Sequence, residues 1–186
     1  MDAANRLRFD DLTQANHFEL FGLAPGFDID LANLEAQWKS RVAQVHPDRY
    51  ANAGPAEKRV AMQWSARLNE AYRILRDPLQ RAKYLCEQAG QDVGEGAGHN
   101  MDMAFLGQQM AWREALEDIE SAKDAKALAT LTNEILADRE QRIGQMATLL
   151  EQQEWPDAVK RLHEWMFIEK FLQEIQTVKR ALTPTE

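Results

Sequence analysis

Apolar residues recur along this 186-residue chain at intervals of three and four, and nowhere do they alternate as a half-buried strand requires. The spacing predicts helices throughout. A short one is expected over His17 to Leu23, stopped by Ala24-Pro25-Gly26. A second, over Leu31 to Val45, follows the capping candidates Asp28 and Asp30 and must end before Pro47. Its stripe of Leu34, Trp38 and Val42 faces a core, leaving Glu35, Lys39 and Arg41 largely on solvated faces. A third helix runs from Pro55 or Ala56 to Arg76 with the stripe Val60, Trp64, Leu68, Ala71 and Leu75. Asp77-Pro78 then breaks the pattern before a fourth helix over Leu79 to Gln88.

Glycine marks a division. Four of the nine glycines fall in AGQDVGEGAGHN, which reads as a linker over residues 90–100. Beyond it three helices are expected, over Asp102 to Ala122, Ala125 to Glu151 and Pro156 to Leu182. Their short connections imply an up-down-up three-helix bundle over residues 101–186. The first four helices make a unit over residues 16–89, and residues 1–15 remain as an N-terminal extension without an assigned role. The expected fold class is all-α.

The first bundle helix carries two stripes on a wheel of about 100° per residue. Phe105, Trp112, Leu116 and Ile119 form the core face, while Met103, Leu106, Met110 and Glu114 line up well away from it. In the last helix Trp165, Ile168, Leu172 and Ile175 make the core stripe, and Phe167 points to one side. Either the neighbouring helices widen the buried face to take in these side chains, or they form an exposed patch that binds a protein.

Charge and composition narrow the function. With 30 acidic and 22 basic residues the net charge is -8 and the pI about 5.1, which argues against a nucleic-acid groove. The excess is confined to residues 91–186; the earlier residues balance. Such asymmetry suggests two units with different partners. The lone Cys86 excludes an internal disulfide and a multi-cysteine metal site, and fits a reducing compartment. No apolar run is long enough to span a membrane, and residues 1–15 resemble no export or transit signal. A cytoplasmic protein is expected. His17, His99 and His163 are scattered, so no metal and no cofactor are expected. Cys86, Trp38, Trp64, Trp112 and Trp165 read as core.

One tripeptide stands out: His46-Pro47-Asp48, in QVHPDRY, where the second helix must stop. Proline stiffens a loop that projects an imidazole and a carboxylate, so little entropy is lost when a partner docks. As a catalytic pair the two lack an accompanying nucleophile or phosphate loop.

Set between the Lys39 and Arg41 helix and the later LNEAYRILRDPLQRAKYL, the tripeptide resembles the HPD loop of J domains, over about residues 17–88. The resemblance implies a helical hairpin that stimulates ATP hydrolysis by an Hsp70, with His46, Pro47 and Asp48 signalling and Lys39, Arg41 and Arg49 assisting electrostatically. Many J domains have a more basic second helix, so steering should be modest. HFELFGLAPGFDID, RDPLQRAKYL and DMAFLGQQMAWREALEDIE further resemble the HscB family of iron-sulfur co-chaperones, over nearly the whole chain. That resemblance implies a non-enzymatic adaptor whose bundle binds an IscU-type scaffold protein through Leu106, Met110 and Phe167 with Glu114, and delivers it to an HscA-type Hsp70. Ala111 stands where other members have a further acid. The four-cysteine module of some eukaryotic members is not expected. The alternative is a J protein that delivers a different client to a general Hsp70.

Overall fold

The structure, a computed structural model, describes residues 14–50, 53–94 and 101–182. These residues form six α-helices and no strand: α1 Leu31–Val45, α2 Pro55–Arg76, α3 Pro78–Gln88, α4 Met103–Ala122, α5 Ala125–Glu151 and α6 Trp155–Leu182. The all-α expectation holds, with bounds within one residue of those read from the sequence. The His17 to Leu23 helix shrinks to a 3-10 turn over Glu19–Phe21. Gly22 closes it at φ 66°, a left-handed conformation that an α-helix cannot continue through.

The chain divides into two compact units, Met1–Leu85 and Cys86–Glu186. In the first, the Asp30 carboxylate opens α1 by accepting from Ala32 N and Asn33 N. Pro55 begins α2, where its missing N–H costs nothing, and the Glu57 carboxylate caps Gly54 N at 3.1 Å. The two helices run antiparallel: Trp38 meets Asn69 and Tyr72, whereas Val45, further along α1, faces Ala61 and Trp64 across a cavity. Leu34, Val45, Trp64, Leu68, Ala71 and Leu75 form the core with Phe18, Leu20, Phe21 and Tyr84.

Two expectations about side chains need correction. Val60, placed on the core stripe of α2, is 49% exposed, and Ala61 beside it is buried. Val60 instead lines a cavity that it shares with Val45 of α1 and Tyr50. Arg41, placed on a solvated face, is half-buried, and its Nε and Nη1 atoms are buried without hydrogen-bond partners. Its long stem lies over the unit, with Nη2 near the Gly22 turn. Burial alone pushes its pKa below the ordinary arginine value.

In the second unit α4, α5 and α6 form the expected bundle. Phe105 meets Arg142 and Trp112 meets Glu134, so α4 and α5 are antiparallel. Arg142 meets Glu164 and Arg139 meets Glu169, so α5 and α6 are antiparallel too. Asp102 and Asp124 cap α4 and α5, and Lys123 ends α4 at φ 54°. The core contains the anticipated α4 stripe and Ile168, Leu172 and Ile175 of the α6 stripe, joined by Leu128, Leu131, Ile135 and Phe171; Trp165 is buried outside that cluster.

Cys86 is fully buried and its thiol is pushed up to about 11 by burial and by Glu87. Among the described residues no group of metal-binding side chains occurs and no helix is long and apolar enough to cross a membrane. His99, most of the glycine-rich segment and residues 1–13 lie outside the described residues.

Candidate functional site

Two surfaces bear the residues singled out in the sequence. The first is the turn after α1. His46 is extended, with φ -60° and ψ 132°, as the residue before a proline prefers, and that ends the helix. Pro47–Tyr50 then make one 3-10 turn, closed by Arg49 N donating to His46 O at 3.0 Å. The turn puts both polar side chains in water. The His46 side chain is 53% exposed and that of Asp48 91%, with Nδ1 and Oδ2 3.5 Å apart. Asp48 N donates to the same Nδ1 at 3.3 Å, which directs the Nε2 edge of the imidazole outward.

An exposed pair of this kind contributes little to stability. Its members keep most of their hydrogen-bonding capacity for a partner. Behind the turn lies an apolar cavity of about 240 Å³, lined by Val45, Tyr50, Ala56, Val60, Ala61 and Trp64 among others. The cations are not equally free. Lys39 is exposed but paired with Glu35 at 2.6 Å, and Arg49 donates to Ala43 O at 3.3 Å. Lys39 lies about two helical turns before His46 and Arg49 within the 3-10 turn itself, while Arg41 is partly enclosed.

The second surface is on α4. Met103, Leu106 and Met110 are 79%, 36% and 64% exposed. The bundle therefore leaves this stripe uncovered, and Glu114 continues it as an exposed carboxylate. Phe167 of α6 is half-buried, with its ring edge-on to Phe105 at 5.8 Å and stacked on Phe171 at 5.9 Å. Arg113 lies over the Phe167 ring at 5.7 Å. On the α4 wheel Arg113 sits between Phe105 and Leu106, so a ring touching both Phe105 and Arg113 lies at the edge of the exposed stripe. Met103 extends this face by a turn. Arg113 was missed in the sequence because one exposed arginine on an acidic helix carries no pattern.

Known proteins resemble this chain in sequence and fold. The family described as HSCB C-terminal oligomerisation domain matches residues 101–176. The Co-chaperone protein HscB homolog of Bordetella petrii is 54% identical over 167 residues, 89% of this chain and 97% of that one. The chain belongs to the HscB co-chaperone family. The HscB homolog of Burkholderia multivorans is 44% identical, over 86% of this chain and 91% of its own. Chaperone HscB from Vibrio cholerae superposes with a TM-score of 0.80 at 33% identity, covering 90% of this chain and 99% of its own. Human co-chaperone protein HscB gives 0.84 at 24% identity over 90% and 83%, a likeness of fold. HscB relatives thus match both units, and the all-α fold with its J-type hairpin and helical bundle is that of HscB.

Proposed function

We propose that this HscB co-chaperone is a two-handed adaptor. The bundle holds an IscU-type iron-sulfur scaffold protein against Leu106, Met110, Glu114 and Phe167, while His46, Pro47 and Asp48 engage an HscA-type Hsp70 in the cytoplasm. Lys39 and Arg49 add attraction for an acidic Hsp70 surface; Arg41 adds less, because its partly enclosed guanidinium offers a partner less direct contact. Hydrolysis stimulated in the Hsp70 then drives it to its tight-binding state on the scaffold and promotes cluster transfer. ATP and the cluster belong to the partners.

The observation that carries the reading is the exposed stripe of Met103, Leu106 and Met110 on one side of a bundle whose other stripes are buried. Large apolar side chains left in water are worth roughly 1.5–3 kcal/mol each when a partner covers them fully. Linking the two surfaces in one chain raises the effective concentration of scaffold at the chaperone. The hairpin turn supports the other half: it offers an imidazole and a carboxylate at a stiff corner.

Replacing Leu106, Met110 and Phe167 together by alanine tests the client surface. Scaffold binding, measured by calorimetry, is expected to weaken by about a hundredfold or more, which corresponds to roughly 3 kcal/mol for a small hot-spot cluster. Stimulation of the Hsp70 alone should be unchanged. Parent-like scaffold affinity in the folded variant would rule out this face, and absence of scaffold binding by the parent would favour another client.

A further inference from the structure

Behind the exposed stripe, α4 rests on a charged cluster as well as on apolar side chains. Arg142 of α5 is 8% exposed and Glu164 of α6 is 0% exposed. Arg142 Nη1 donates to Glu164 Oε2, and Arg161 Nη1 donates to the same oxygen at 2.6 Å. Arg142 Nε donates to Asp138 Oδ2 at 2.6 Å, and its Nη2 reaches Asp138 Oδ1 at 3.3 Å and Gln108 Oε1 of α4 at 3.5 Å. The guanidinium carbon lies 4.3 Å from the centroid of the Phe105 ring, also on α4. One side chain thereby joins all three helices.

Stability is a poor reason for such a cluster. Removing two charges from water costs several kcal/mol per ion, and well-packed apolar side chains of similar volume often do as well or better. What the guanidinium supplies is direction, because its donors leave in a fixed planar fork. Apolar contacts alone tolerate small rotations of one helix on another. A turn of α4 by a single position, about 100°, would carry Leu106 toward the place of Phe105 and bury part of the exposed stripe. Phe105 in turn holds Phe167 edge-on at 5.8 Å.

We propose that Arg142 is a positioning residue for the client face: fixed by Glu164 and Asp138, it holds Gln108 and Phe105, sets the rotation of α4 and so presents Leu106, Met110 and Phe167 together. This rests on the reading of that face as the scaffold-binding surface.

The test is the full-length double variant Arg142→Met with Glu164→Leu, in which Asp138 and Arg161 still reach solvent. Three quantities are compared with the parent: the thermal midpoint, amide exchange along α4, and the calorimetric affinity for an IscU-type scaffold. The expected result is a midpoint equal or higher, α4 exchange at least tenfold faster with α5 and α6 still protected, and scaffold binding at least tenfold weaker. Arg142→Lys keeps the charge but loses the fork and the stacking; it should fold and also bind more weakly. Parent-like exchange and affinity in the folded double variant would overturn the proposal, as would a binding loss that only follows the unfolded fraction. If the double variant does not fold, Arg142→Lys decides, and parent-like affinity there overturns it. Should the parent itself fail to bind the scaffold, the client reading falls, and the proposal that Arg142 presents that face falls with it; α4 exchange then still shows whether Arg142 fixes the helix.

Discussion

His17 shows how one side chain can carry a pH response that no function requires. Its ring stacks on Tyr84 at 4.2 Å and an interplanar angle of 9°, while its backbone N–H donates to the Tyr84 hydroxyl at 3.0 Å. Burial holds its pKa below the ordinary histidine value of 6.5; Glu70 opposes and Arg67 assists. The unfolded chain therefore takes up a proton more readily than the folded one. This contribution is level above the ordinary histidine range and is lost as pH falls through it toward the folded value. In His17→Phe the loss should disappear: the difference in urea midpoint between parent and variant is expected to change between about pH 7.5 and about pH 5.5. A pH-independent difference would contradict it. At this scale the helix stop at His46 and Pro47 was legible, because a proline after an apolar stripe is a local signal. Arg41 and Val60 were not. Arg41 lies against the Gly22 turn and Val60 faces an open cavity rather than a packed side chain, and neither is written in helical spacing.

Helices were the most legible level, because caps and breakers coincide with the ends of the apolar stripes. The Asp30 carboxylate takes two N–H groups of α1, Ala32 at 2.9 Å and Asn33 at 3.0 Å. Asp30→Ala leaves both unsatisfied by protein and is expected to destabilise by about 1 kcal/mol, read as a lower denaturation midpoint at unchanged slope. A variant within about 0.3 kcal/mol of the parent would mean that water caps the helix equally well. The buried cluster escaped sequence reading, since charged residues in an acidic bundle pass for a solvated face. A signal was present. Glu164 lies on the spacing of Ile168, Phe171 and Ile175, and Arg142 lies seven residues after Ile135 and four before Met146. Opposite charges at positions where periodicity demands apolar side chains mark a buried pair. By contrast, the second stripe of α4 was visible in the spacing, but whether neighbouring helices bury it depends on packing, and the exposure of Met103, Leu106 and Met110 decides it.

At the scale of the molecule, two compact units bear two surfaces of different character, a polar turn on one and an apolar face on the other. The glycine run and the charge balance pointed to two units with a linker over residues 90–100, whereas the compact units divide at Leu85 and Cys86, ahead of the glycines. The central claim is that both surfaces act on one chaperone cycle. Its most direct measurement is steady-state ATP hydrolysis by an HscA-type Hsp70 with this protein, with and without an IscU-type scaffold, alongside His46→Gln. Stimulation is expected that the scaffold increases beyond the sum of the separate effects, and that is lost in His46→Gln with scaffold binding intact. Stimulation indifferent to the scaffold, or undiminished in His46→Gln, would contradict it.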